Sequence, residues 1–198
     1  MSALVIGFLY IMQRYIIYLR NQNYSSEQAN WLLNKARSLA SDIGVIVRDA
    51  RVATRHVEFD TSVPDNSSIE EVLRRFTTIS PLSEYEPIVE KRMEKQEAIM
   101  KAKDLFNDEK YWGAHEVLES VWKDAHHEEK DLLNGIILIA AAFVHDEKDE
   151  SGICLAILSR AMKKLSNAKG SYFSIDLDEI KRLVLQIIET GKVKRFPI

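Results

Sequence analysis

The feature that most constrains this fold is a continuous apolar segment, LLNGIILIAAAFV, at residues 132–144. A helix that is apolar on every face has to be buried on every face, so this segment is predicted to be the central helix of a bundle. Gly135 and the run Ala140–Ala142 remove side-chain bulk, which lets a neighbouring helix approach closely. The helical periodicity predicts helices at about 90–107, 111–125, 130–146, 151–168 and 175–190. We therefore predict that the second half of the chain is all-α.

In the first half of the chain, segments typical of strands alternate with segments typical of helices. Tyr15–Leu19 and Val57–Val63 are rich in β-branched and aromatic residues, whereas Ala29–Ala40 has apolar residues at helical spacing. The predicted order is strand, helix, strand, strand, helix, strand, which is that of a ferredoxin-like α/β sandwich. The sequence thus predicts an α+β protein, with a ferredoxin-like domain over residues 1–87 and an all-α helical bundle over residues 88–198.

Composition excludes several classes of protein. Of the 198 residues, 46% are hydrophobic and 29% are charged, as in folded globular proteins rather than disordered ones. The 27 basic and 30 acidic side chains give a formal charge of -3, which argues against a general nucleic-acid-binding surface. The single cysteine, Cys154, excludes an intramolecular disulfide and a cysteine-rich zinc module. We expect a cytoplasmic protein that binds neither nucleic acid nor a membrane.

The chain begins with the apolar segment SALVIGFLYIM at residues 2–12. This segment is too short to span a bilayer, which takes about 20 residues. No basic region precedes it and no small-residue cleavage site follows it, so it is not typical of a signal peptide. Three interpretations fit it: a membrane anchor, a helix or strand packed on the core or on a second subunit, and a native start at Met12.

The most informative segment for function is YWGAHEVLESVWKD at residues 111–124. On a helix, Trp112, His115, Glu119 and Trp122 share one sector about 80° wide. The neighbouring sector is apolar and is predicted to face the core; it holds Ala114, Val117, Leu118 and Val121. His115 and Glu119 lie one turn apart, where side chains at i and i+4 are neighbours.

This pair supports two kinds of chemistry. An imidazole and a carboxylate on successive turns can bind a divalent cation together. Alternatively, the carboxylate can orient the imidazole as a general base. If neither chemistry applies, the two side chains form a purely structural hydrogen bond. The candidate catalytic residues are His115 and Glu119, and the candidate metal ligands are His115, Glu119 and His145. The candidate binding residues are Trp112, Glu116 and Trp122.

Two further groups of polar residues are interpreted as surface features. His126 and His127, in the charged connection HHEEKD, are predicted to be solvated loop residues. The basic side chains Arg48, Arg51 and Arg55 would suit a nucleotide or RNA. We interpret them instead as solvated residues on an edge strand, where charge prevents strand-to-strand aggregation.

The order of two helical motifs resembles that of a known family. His115-x-x-x-Glu119-x-x-Trp122 is followed by Gly135-Ile136-Ile137 and then by Ala140-Ala141-Ala142. Over about residues 98–168 the chain resembles the bacterial and archaeal domain-of-unknown-function family numbered 309. The resemblance implies a small helical domain whose His-x-x-x-Glu-x-x-Trp motif binds metal, and it implies no particular reaction. The chain departs from the family at Leu138, where members commonly carry a glutamine.

Two classes of function are consistent with these features. In the first, the chain is a metal-dependent hydrolase in which His115 and Glu119, with Glu116 or His145, hold a divalent ion that activates water for a small-molecule substrate. In the second, the chain is a non-catalytic helical binding or dimerisation module, and the His115–Glu119 pair is structural. Small helical domains with broad apolar sides often complete their burial in a symmetric dimer, so we also expect a homodimer.

Overall fold

A computed structural model describes residues 12–89 and 93–198 of the chain. The interpretations of the apolar segment before Met12 therefore concern residues outside the described ranges. The chain divides into two compact units, Met1–Val89 and Glu90–Ile198, and each has its own hydrophobic core. Within the described ranges, no helix combines the length and the apolar character needed to cross a bilayer.

The first unit is a four-stranded sheet with two helices. Its elements are β1 (Met12–Arg20), a 3₁₀ turn (Ser26–Gln28) leading into α1 (Ala29–Ala40), β2 (Ile46–Val52), β3 (His56–Pro64), α2 (Ile69–Phe76) and β4 (Leu82–Pro87). The strands are antiparallel and lie in the order β2-β3-β1-β4. This order, with the alternation of strands and helices along the chain, is the ferredoxin-like arrangement, so the fold class predicted for this half is confirmed.

Apolar residues of both helices pack against the sheet. Leu32 of α1 and Phe76 of α2 share one core with Ile17 and Phe59 of the central strands. The Phe59 and Phe76 rings lie 5.2 Å apart between centroids. Ser68 caps the start of helix α2: its hydroxyl accepts a hydrogen bond from the backbone N–H of Glu70 at 3.1 Å.

The face of the sheet opposite this core carries buried charges, which corrects one sequence prediction. Arg51 is only 2% exposed, and its Nε donates to Glu58 Oε1 at 2.6 Å. The interpretation of Arg51 as a solvated residue was therefore wrong, because its guanidinium is neutralised by a carboxylate on the neighbouring strand. Arg48 and Arg55 are exposed, as predicted. Burial raises the pKa of the Glu58 carboxyl, although Arg51 acts in the opposite direction.

The second unit is mainly helical. Its elements are α3 (Lys95–Asn107), α4 (Tyr111–Trp122), α5 (His127–Asp146), α6 (Ser151–Lys164), β5 (Ser171–Tyr172), β6 (Ile175–Asp176) and α7 (Leu177–Thr190). The predicted helices are present with ends displaced by a few residues, and residues 90–92 of the first predicted helix lie outside the described ranges. The short β5–β6 hairpin corrects the prediction of an all-α half. Its turn residues, Phe173 and Ser174, have φ angles of 45° and 64°, but they are not the Asn-Gly pair that marks such a turn in a sequence.

Helix α5 is the central element of this unit, as its apolar sequence predicted. Leu133, Ile136, Ala140 and Phe143 are all buried along it. A Cβ atom placed on Gly135 would lie 2.5 Å from Cγ of Leu165, at the end of α6. The close approach predicted from this glycine is thus confirmed.

The residues after α7 form a tail without regular secondary structure that packs back on the helices. Arg195 Nε donates to Asp146 Oδ2 at 2.8 Å, and Arg195 Nη1 donates to Glu109 Oε2 at 3.2 Å. The Phe196 ring packs edge-on against Phe143, with 5.3 Å between centroids. The tail therefore completes the core of the helical unit, which no sequence pattern had indicated.

Candidate metal site

Helix α4 has a buried face, an exposed face and a boundary between them. The buried residues are Tyr111, Ala114, Leu118 and Val121, and the exposed ones include Glu116 and Ser120. The boundary residues, all of them half-buried, are Trp112, His115, Glu119 and Trp122. The helical periodicity thus predicted correctly that these four residues lie at the edge of a buried surface.

Three side chains on this helix converge. His115, Glu116 and Glu119 each offer one ligand atom, and these atoms all lie within 4.8 Å of one another. His115 Nδ1 is 3.4 Å from Glu116 Oε1, and the two side chains are 28% and 46% exposed. In a tetrahedral zinc site with bonds of about 2.1 Å, two ligand atoms are about 3.4 Å apart. The His115–Glu116 pair is therefore already at a suitable separation, and solvent can reach it.

His145 does not join this cluster among the described residues. It lies in the last turn of α5, where its Nδ1 forms a hydrogen bond with the carboxylate of Glu150, just before α6. The geometry thus brings together two of the three predicted ligands, His115 and Glu119, and it adds Glu116, which the sequence suggested as a binding residue. The position of His145 depends on how α5 connects to α6, which the spacing of histidines along the chain does not reveal.

The Trp122 ring packs against other residues and does not form an open surface for a ligand. Its ring belongs to the edge of the helical core, and Lys130 Nζ lies over it, 4.7 Å from the centroid. The indole Nε1 of Trp122 is buried and has no hydrogen-bond acceptor among the described residues. Leu138, at the position where the related family carries glutamine, also packs on this core. Both Trp122 and Leu138 therefore belong to the edge of the helical core.

Two further histidines of the helical unit, His126 and His127, lie at the start of α5. His126 is the N-cap residue and His127 is the first helical residue, with a φ angle of 52°. Both are exposed, as predicted, but the helix begins three residues earlier than the predicted residue 130. This part of the prediction is corrected: His127 belongs to the helix rather than to a loop.

The comparison with protein-family models agrees with the motif. Residues 99–155 match the family model for a domain of unknown function, DUF309, so the resemblance predicted from the sequence is confirmed. The matched segment includes all of α4 and α5, and therefore the His115 cluster. No curated protein matches the chain.

Part of the chain is similar in sequence to a solved structure. It is the crystal structure of a conserved hypothetical protein from Thermus thermophilus, with 27% sequence identity and a TM-score of 0.40. The similar region covers 46% of this chain and 94% of the Thermus protein.

Proposed function

We propose that the cluster of His115, Glu116 and Glu119 binds a divalent transition-metal ion, and that the ion serves the hydrolysis of a small-molecule substrate. The observation that carries this proposal is the convergence of one imidazole and two carboxylates within 4.8 Å on an accessible surface of α4. The match of residues 99–155 to the DUF309 family supports the proposal in one respect: the matched segment includes helix α4.

The chemistry of the donors favours a particular class of ion. Calcium and magnesium prefer oxygen ligands throughout, whereas imidazole nitrogen suits zinc, iron and related transition metals. One nitrogen and two carboxylate oxygens therefore fit zinc, or a metal of similar preference, better than calcium or magnesium. Three protein ligands also leave a fourth position for water, as in catalytic zinc sites.

The roles of the three residues follow from their donors. His115 supplies a neutral nitrogen ligand, and Glu116 and Glu119 supply the negative charge that offsets the charge of the ion. A bound metal of this kind lowers the pKa of its water and so supplies a nucleophile near neutral pH. Because an imidazole must be neutral to bind, we expect metal affinity to fall in acid.

The first test measures metal content and affinity. The full chain, purified without a histidine tag and loaded with zinc, should retain about one equivalent per chain by elemental analysis. By calorimetry, His115→Ala and Glu119→Gln should each weaken zinc binding by tenfold or more, and Glu116→Gln should also weaken it. His126→Ala, which removes an exposed imidazole outside the cluster, is the matched control and should bind zinc like the unmodified chain.

The second test concerns hydrolysis. The zinc-loaded chain should release nitrophenol from a panel of chromogenic phosphate and carboxylate esters, and Glu119→Gln should abolish that release. Zinc binding without turnover of any ester would contradict the hydrolytic part of the proposal while leaving metal binding in place.

Other outcomes would favour the alternative function. If His115→Ala and Glu119→Gln keep the metal content of the unmodified chain, the metal proposal is wrong. If these variants instead lower the melting temperature, or convert a dimer into a monomer by light scattering, the pair is structural. The chain would then act as a non-catalytic dimerisation module.

A further inference from the structure

We infer that a cavity beside the C-terminal tail is a binding site for an amphipathic carboxylate, meaning an elongated apolar molecule that ends in a carboxylate group. The cavity has a volume of about 560 Å³ and lies between α7 and the tail. None of the His115 cluster lines it, so the inference is independent of the proposed metal site.

The floor of the cavity is apolar and well supported. It includes Leu183 and Ile187 of α7 together with Phe196 and Pro197 of the tail. Phe196 is only 8% exposed, and its ring packs against Phe143 of α5. A cavity volume between about 300 and 1,000 Å³ with a mostly apolar lining is typical of sites for small molecules.

The rim of the cavity is positively charged. Lys192 and Lys194 line it, and neither ammonium has an ion-pair partner within residues 12–89 and 93–198. The other charged lining residues are neutralised: Arg195 pairs with Asp146, and Glu179 pairs with Arg182 at 2.6 Å. The net charge presented to a ligand therefore comes from the two lysines.

The apolar floor and the cationic rim together select the ligand class. A small polar anion would leave the floor without a partner, and an apolar cation would be repelled by Lys192 and Lys194. A carboxylate on an alkyl chain can accept charge-assisted hydrogen bonds from the ammonium groups while its chain covers Leu183 and Phe196. Gln186 also lines the cavity and carries a side-chain amide, which is a neutral hydrogen-bond donor.

Binding is tested with decanoate as the probe. Calorimetry on the full chain, below the micellar concentration of decanoate, should show saturable binding of about one molecule per chain. Decyltrimethylammonium, which has the same alkyl chain and the opposite charge, should bind about tenfold more weakly or not at all.

Two variants locate the site. Changing Lys192→Gln and Lys194→Gln together should weaken decanoate binding by about tenfold. The pair Lys101→Gln and Lys163→Gln removes the same charge from exposed positions outside the cavity and should leave affinity unchanged. Leu183→Trp should fill the cavity and abolish binding. If Leu183→Trp strongly lowers the melting temperature, the double variant of Lys192 and Lys194 provides the test of the site instead. These two lysines lie at the solvent-facing edge of the cavity rather than in the core.

Several results would overturn the inference. They are the absence of saturable decanoate binding, equal affinity for the two probes of opposite charge, and an equal loss of affinity in the rim and control variants. Dissociation of a dimer by Leu183→Trp, without decanoate binding to the unmodified chain, would assign the cavity to a second copy of the chain instead.

Discussion

Arg51 and Glu58 form an ion pair across two neighbouring strands, and their side chains are 2% and 1% exposed. Removing two charges from water costs several kcal/mol, and their attraction offsets this cost only while both partners are present. Glu71, by contrast, forms its ion pairs with arginines at the protein surface. Arg74 and Arg75 hold the pKa of its carboxyl at about 2, but solvent screens that interaction. Burial therefore makes the Arg51–Glu58 pair far more sensitive to substitution than the exposed one.

We expect Arg51→Met to lower the free energy of unfolding by about 3–5 kcal/mol at pH 7.5, because it leaves the Glu58 carboxylate buried without its cation. The loss should be smaller at pH 5. The pKa of Glu58 is already raised above its ordinary value of 4.5. As the pH falls, Glu58 therefore takes up a proton in the folded state before it does so in the unfolded state, and the loss of its cation then costs less. Urea unfolding at the two pH values measures both effects.

The control for this variant is Arg48→Met, an exposed arginine on the same strand. It should cost less than about 1 kcal/mol at either pH. A loss for Arg51→Met that is no larger than the control, or that increases toward pH 5, would contradict the role assigned to the buried pair.

Among the elements, α5 and α6 show how one missing side chain sets the distance between two helices. Gly135 of α5 lies against Leu165, and a Cβ there would be 2.5 Å from Cγ and 2.6 Å from Cδ2 of the leucine. Real atoms do not approach so closely, so any larger residue requires a shift of Leu165 or of the helix that carries it. Gly152, near the start of α6, has no atom within 4 Å of such a Cβ.

We expect Gly135→Ala to destabilise the protein by about 1–3 kcal/mol, because overpacking outweighs the higher helix propensity of alanine. Gly152→Ala is the matched control. It should stabilise the protein by up to about 1 kcal/mol, since only the gain in propensity remains. Thermal and urea unfolding report both changes, and equal stabilisation by the two substitutions would rule out a tight α5–α6 contact.

Local signals predicted some elements better than others. The helical periodicity predicted helix α7 within two residues, and the sequence also marks both ends of this helix. Asp176 Oδ1 accepts hydrogen bonds from the backbone N–H groups of Asp178 and Glu179, and Gly191, with a φ angle of 65°, follows the last helical residue. The β5–β6 hairpin has only two residues in each strand, too few for an alternating pattern to be visible.

At the scale of the whole molecule, the core of the helical unit is completed by the end of the chain. Phe196 lies 6.3 Å from Phe106 of α3 and 5.3 Å from Phe143 of α5, measured between ring centroids. Its neighbour Arg195 is anchored to Asp146 by a hydrogen bond of 2.8 Å. Residues that follow the last helix are therefore structural.

We expect Phe196→Ala to lower the free energy of unfolding by about 3 kcal/mol, since it leaves a cavity among aromatic rings. Pro197→Ala changes the adjacent, exposed residue and should cost less than about 1 kcal/mol. Urea unfolding of the two variants compares them directly. Similar small losses would mean that the tail is dispensable for the core.

The sequence by itself determined the order and kind of most elements, and it placed His115, Glu116 and Glu119 on one helix. These features are local, because periodicity, caps and i, i+4 spacing act over one or two turns. Only the tertiary structure decided that Arg51 is buried against Glu58, that His145 turns to Glu150, and that the tail encloses a cavity with α7. Such contacts depend on how separate elements pack, and no pattern within a single element encodes that packing.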